Sequence, residues 1–249
     1  MRYRATVAYD GRAYWGFQRQ AGDSPTVQGA IEHALEQITG THTTVIGAGR
    51  TDSGVHATGQ VIAFDVEWAH GPATLTKALN ATLPTDISVR DVCERPGFHP
   101  RFDARSRRYR YTVHTADVRD PLLWGRVWWL SQALEIEAMQ ACAASVIGTR
   151  DFATFGHPPQ GDNTVRTVFV SQWSQHAAPI AGELYVYEVE ANAFLHHMVR
   201  RLVGMMVDAG RGWISPDAFQ DKMRAADLSL AQRTAPPHGL VLEAVRYDD

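Results

Sequence analysis

The sequence predicts an α+β fold of two similar subdomains, each a mainly antiparallel sheet with helices packed on one face, and a cleft between them. Three observations predict it. Strand-like segments come in pairs between helical ones, which favours antiparallel pairing over a parallel crossover wind. The rhythm occurs twice along 249 residues. With 45% hydrophobic and 20% charged residues, the chain can bury a sizeable core.

Taken in order, residues 2–9 alternate as a strand. A helix over 26–38 puts Val27, Ala30, Ile31, Ala34, Leu35 and Ile38 on one face. Thr26 caps it, although Gly29 stands where a capping box would place Glu or Gln, and Gly40 stops it. Strands follow over 43–46, 59–67 and 87–93, with a short helix over 73–80, and then a strand over 105–115. The second cycle has a helix over 135–147, strands over 164–174 and 183–191, helices over 194–209 and 216–225, and a last strand over 240–246. The segment 98–103 separates the halves, so 1–98 forms the first subdomain and 99–249 the second. Residues 157–162, His-Pro-Pro-Gln-Gly-Asp, read as a mobile loop.

No apolar run approaches the roughly 18 to 20 residues of a membrane span, and the first residues lack the apolar stretch of a signal peptide. Cys93 and Cys142 form no C-x-x-C pair and build neither a zinc cage nor a disulfide framework. These features predict a cytoplasmic protein. A net charge of −3 would argue against a polyanionic partner if charge were spread evenly. It is not: Arg101, Arg105, Arg107, Arg108 and Arg110 face one acid, Asp103, within ten residues. By itself this stretch fits nucleic-acid contact and a solvated edge strand, whose cations discourage edge pairing, equally well.

Residues 47–56, Gly-Ala-Gly-Arg-Thr-Asp-Ser-Gly-Val-His, put three glycines, Arg50 and Asp52 between two apparent strands. The segment is no phosphate cradle, because no Gly-Lys-Ser/Thr follows and the second flank is a strand rather than a helix. Asp52-Ser53-Gly54 matches an aspartic-protease triplet, but no second copy supplies the paired carboxylate. Asp52 and His56 lack a third ligand at motif spacing, so no metal site is predicted. A carboxylate beside an arginine suits a nucleophile or acid-base group held ionised, while a generic Asp in a glycine-rich loop more often caps its own turn.

Residues 49–57 closely resemble the G-R-T-D-A-G-V-H-A signature of the tRNA pseudouridine synthase A family, with Ser53 in place of the usual Ala. The likeness covers essentially the whole chain. Tyr9-Asp10-Gly11 and Tyr14-Trp15-Gly16-Phe17-Gln18 are similar to the family's Y-D-G-x-x-Y-x-G-W-Q, with Phe17 for Trp. His99-Pro100-Arg101-Phe102-Asp103, leading into Arg107-Arg108-Tyr109-Arg110-Tyr111, resembles its F-H-A-R-F and R-R-Y-x-Y run. Arg150 to Phe155, Asn192 to Arg200 and Ala235 to Leu240 follow in family order.

The resemblance implies an isomerase that converts uridine to pseudouridine at positions 38, 39 and 40 of the tRNA anticodon stem-loop, without cofactor or metal. It implies that Asp52 is the catalytic carboxylate, that Arg50 and Arg200 are the cations around it, that Tyr109 lies against the target uracil and that Leu240 sandwiches the base. It further implies a homodimer with tRNA lying across both subunits. Beside this, alternation along 105–113 puts Arg107, Tyr109, Tyr111 and Val113 on one face and Arg108 and Arg110 on the other, where they read as a phosphate patch. Next to a tRNA site, the arginine stretch, Arg107 included, reads as RNA-binding. In the helix over 194–209, Leu195, Met198, Leu202, Met206 and Ala209 form the core stripe, and His196 and Arg200 share a flank beyond it. His196 and His197 point about 100° apart on that helix, serving packing and hydrogen bonding rather than one metal ion.

Overall fold

Residues 1–22 and 24–248 are described by a computed structural model. The strands and helices run β1 (Arg2–Tyr9), α1 (Val27–Thr39), β2 (Ile46–Gly47), β3 (His56–Asp65), α2 (Gly71–Thr82), β4 (Ile87–Glu94), β5 (Ala104–Thr115), β6 (Trp128–Leu130), α3 (Ile136–Ser145), β7 (Gly148–Asp151), β8 (Val165–Ala177), β9 (Glu183–Ala191), α4 (Met198–Gly210), α5 (Pro216–Arg224) and β10 (Leu240–Tyr247). Among the described residues no helix is long and apolar enough to cross a membrane.

The chain divides into two compact units. The first takes the described residues up to Arg105 and those from Val241 onward; the second is Ser106–Leu240. In the first, the sheet order is β4-β1-β3-β10, with β2 on β3. Strand β1 alternates strictly, burying Tyr3, Ala5, Val7 and Tyr9, where each large apolar side chain contributes roughly 1.5–3 kcal/mol. Helix α2 packs on β4 and α1 packs against α2. As the residue types require, the Thr26 hydroxyl accepts from Gly29 N–H and Gly40 ends α1 at φ 70°. In the second unit the order is β5-β9-β8-β7, with β6 parallel to β5 and all other pairs antiparallel. Helix α3 packs against β8, α4 and α5.

The division falls after Arg105, and the last strand, expected with the second subdomain, belongs to the first: β10 runs parallel to β3, with Val241 opposite His56 and Leu242 opposite Ala57. A boundary sought along the chain does not register a strand that returns. The strand expected over 43–46 shrinks to Ile46–Gly47 because helix side chains take its backbone: Val45 N–H donates to Glu32 Oε1 at 3.0 Å, and Gln28 Nε2 donates to the Val45 carbonyl at 3.0 Å. Strands β6 and β7 were not foreseen, and the 157–162 stretch carries no helix or strand.

Candidate active site

Asp52 lies in the loop between β2 and β3, and that loop is held on both sides of it by the segment after β1. Before Asp52, the Thr51 and Tyr9 hydroxyls form a buried 2.7 Å pair, and the Thr51 carbonyl accepts from Phe17 N–H at 3.1 Å. After it, the Ser53 hydroxyl and Gly54 N–H donate to the Tyr14 carbonyl at 3.2 and 3.4 Å. Val55 N–H closes the turn on the carbonyl of Asp52 itself at 3.1 Å, with Gly54 at φ 78°. The start of the loop is tied to β3: Ala48 N–H donates to Val61 O at 2.8 Å and Gln60 Nε2 to Gly49 O at 2.9 Å.

Two glycines make this approach possible. A Cβ on Gly11 would stand 2.0 Å from the Val55 carbonyl oxygen, and one on Gly16, already at φ +96°, would stand 2.8 Å from the Thr51 oxygen. Only glycine accepts both the left-handed backbone and the contact. The two motifs, about forty residues apart in sequence, are therefore one structure. Asp52 is half-buried and Arg50 exposed. A carboxylate on a loop whose backbone is fixed in this way is oriented before substrate arrives, and such orientation lowers reaction barriers.

Beneath the loop, Arg12 grips the Asp10 carboxylate through Nε and Nη2 at 2.7–3.1 Å, and Gly11 N–H donates to Nδ1 of buried His56 at 3.1 Å. Burial pushes the Asp10 carboxyl up, but the hydrogen bonds from Arg12, with its charge, outweigh it and hold the carboxyl below its ordinary value. The Tyr14 hydroxyl donates to Asp86 at 2.7 Å, and burial with that carboxylate raises its phenol far above the usual range. Tyr9, Tyr14 and Gln60 thus position the loop. Tyr9 and Tyr14 stand in a motif visible in the sequence and Gln60 in none, and nothing there tied any of them to Asp52.

In the second unit, Tyr109 and Tyr111 sit on β5 opposite Val189 and Tyr187 of β9. Tyr109 is 9% exposed, and its ring meets Phe194 edge-on at 5.1 Å and 89°. Tyr111 is fully buried, the core fate that an α+β sheet gives most tyrosines; its hydroxyl donates to the Pro236 carbonyl at 2.8 Å. Burial drives the Tyr111 phenol well up, and the charge of Arg200 opposes the shift. Arg200, in the first turn of α4, donates from Nε to the Ala235 carbonyl at 2.8 Å, while Ala235 N–H returns a bond to the Arg200 carbonyl at 3.0 Å. Arg200, Tyr111 and the 235–239 loop leading to buried Leu240 form one cluster. Arg107 donates to the Asn192 carbonyl at 2.9 Å.

Two expectations change here. Helix α4 begins at Met198, not 194, because His197 adopts φ 62° and His196 N–H is taken by the His157 carbonyl at 3.0 Å. The 195–197 segment is pressed onto Gly156, where a Cβ would stand 2.4 Å from the His196 oxygen. His196 and Arg200 consequently share no helical flank, and the two histidine rings stack at 3.7 Å and 29° instead of diverging. Second, the arginine face of β5 is answered by acids on β9. Arg108 lies opposite Glu190 and Arg110 opposite Glu188, and Arg108 donates to Glu188 at 2.6 Å. The bond from Gln172 and those from Arg108, with the charges of Arg108 and Arg110, hold the Glu188 carboxyl low against burial. Arg105 pairs with Asp248 at the surface. Counting charge along ten residues missed partners that antiparallel pairing places directly opposite.

A family model described as tRNA pseudouridine synthase matches residues 5–103 and 142–248. The chain is 41% identical over 248 residues to tRNA pseudouridine synthase A of Neisseria gonorrhoeae, covering 99% of this chain and 92% of the relative. It is 41% identical over 250 residues to tRNA pseudouridine synthase A of Rhodospirillum rubrum, covering 99% and 88%, and 40% identical over 251 residues to that of a Geobacillus species, covering 100% and 99%. The chain belongs to the tRNA pseudouridine synthase family and is an isomerase that converts uridine to pseudouridine in tRNA.

Proposed function

We propose that the chain isomerises uridines 38, 39 and 40 of the tRNA anticodon stem-loop, with Asp52 as the catalytic carboxylate. As the N1–C1′ bond of the uridine breaks, Asp52 either adds to C1′ or removes the C2′ proton. The uracil then turns and C5 bonds to C1′ as the Asp52–C1′ bond breaks or the C2′ proton returns; the C5 proton leaves to water and N1 takes up a proton from it. The total oxidation level of the nucleoside does not change, so the reaction calls for no electron carrier. Arg50, from the same loop, and Arg200 supply positive charge around the carboxylate. Tyr109 stacks on the everted uracil and sets its hydroxyl near C5, and Leu240 covers the base. Arg107, Arg108 and Arg110 contact phosphates, Arg108 by exchanging Glu188 for a phosphate oxygen.

The observation that carries this reading is the clamp on the loop of Asp52. A residue that merely formed a turn would need no buried Tyr9–Thr51 pair and no glycines making room for its neighbours' carbonyls. The reading extends to a cytoplasmic homodimer across which the tRNA lies. Pseudouridine mapping of tRNA from cells lacking this protein tests the substrate: loss confined to positions 38, 39 and 40 is expected, and an unchanged map contradicts it. Sedimentation of the purified chain tests the dimer.

A further inference from the structure

Phe102 is 74% exposed, yet nothing about its surroundings is loose. The turn that carries it is pinned from within. His99 N–H donates to Asp103 Oδ2 at 2.9 Å, Asp103 N–H returns to the His99 carbonyl at 3.1 Å, and the N–H groups of Arg101 and Phe102 both donate to His99 Nδ1 at 3.2 Å. With Nδ1 accepting, the ring carries its proton on Nε2. The turn is also anchored to the first unit: the Tyr247 hydroxyl donates to the Pro100 carbonyl at 2.8 Å, and Arg2 to the Phe98 carbonyl at 3.2 Å. Phe98 packs edge-on against Tyr247, with Arg4 over both rings. On this base the His99 ring stacks against the Phe102 ring at 4.2 Å and 27°, and the Arg101 guanidinium lies 5.7 Å from the Phe102 ring centre.

A scattered surface phenylalanine needs no explanation. One displayed by an over-determined turn, backed by a parallel ring and flanked by a guanidinium, has the chemistry by which proteins hold unpaired bases: a π-face for stacking and a cation beside it for the adjoining phosphate. We propose that Phe102 is a stacking platform for an unpaired nucleobase of the tRNA, with Arg101 on the neighbouring phosphate and His99 as the ring that fixes its orientation. This rests on tRNA being the substrate but not on the role given to Asp52. It concerns binding rather than bond making, so its failure and that of the Asp52 assignment are read in different quantities.

The test uses the full chain and unmodified tRNA, measuring the Kd for tRNA and turnover for Phe102→Ala, Phe102→Leu and Phe102→Trp. Removing one base–aromatic stack weakens binding about 5- to 150-fold. The expected result is that loss for Phe102→Ala and a comparable one for Phe102→Leu, wild-type binding for Phe102→Trp, and an unchanged kcat at saturating tRNA throughout. An alanine variant that binds as wild type overturns the proposal. So does full rescue by leucine, which would mark a plain apolar contact, or a change of sedimentation in Phe102→Ala without RNA, which would make Phe102 a contact between copies of the chain.

Discussion

The loop of Asp52 and the strand of Tyr109 place their residues by opposite means. Around Asp52 the backbone is held by hydrogen bonds from another segment, and glycines clear the space. Around Tyr109 a regular antiparallel ladder sets the register, and the Phe194 ring packs against it edge-on. The first arrangement concentrates positioning in a few groups that cannot be substituted, whereas the second spreads it over a cross-strand surface. Changes at the clamp should therefore reach turnover through geometry, and equivalent changes behind β5 should cost stability first.

The largest effect expected is that of Gly11→Ala. Its methyl cannot coexist with the Val55 carbonyl 2.0 Å away, so overpacking should cost about 3 kcal/mol in urea unfolding and kcat should fall at least about tenfold, since a misplaced group near the chemistry is that costly. Normal stability and turnover would break the contrast. Next come Tyr9→Phe and Thr51→Val, each breaking the buried hydroxyl pair at about 1–3 kcal/mol. In the double mutant the two losses should fail to add, and kcat should drop more than tRNA affinity; additive losses would mean that the pair does not act as a unit. On the other side, Tyr111→Phe removes one bond to the Pro236 carbonyl while leaving the ring packed. It should cost about 1 kcal/mol with a smaller change in kcat than either clamp variant, and a larger one would erase the distinction.

The smallest expected effect is one of pH, and both units contribute to it. Asp10 and Glu188 have folded-state carboxyls held below their ordinary values. Their contribution to stability is complete above the ordinary carboxylate range, near about pH 4, and disappears as pH falls through the lowered folded values. Urea midpoints followed from neutral pH downward should fall through that window, and the fall should be shallower in Asp10→Asn and in Glu188→Gln. Parallel curves for wild type and variants would show that these carboxylates are not linked to folding.

What could be read from residue order was whatever is local. Thr26 and Gly40 marked the ends of α1, and β9 runs over Glu183–Ala191 as alternation requires. The glycine-rich loop announced that something at 47–56 needs tight backbone, and its resemblance to a family signature singled out Asp52. What could not be read was whatever depends on a distant partner. Glu32 and Gln28 taking the backbone of Val45, β10 returning to β3, and Glu188 and Glu190 answering the arginines of β5 are contacts across long separations. The early start assigned to α4 failed for the same reason: periodicity through 194–197 fits a helix, but Gly156 draws that segment away.

In the reading proposed above Asp52 does the chemistry, and Tyr9, Tyr14 and Thr51 present it. Tritium release from tRNA labelled at uridine C5, measured alongside tRNA binding for wild type and Asp52→Asn, tests it most directly. No release above background is expected from Asp52→Asn, while tRNA binds within a few-fold of wild type. Release at a wild-type rate from Asp52→Asn would contradict it.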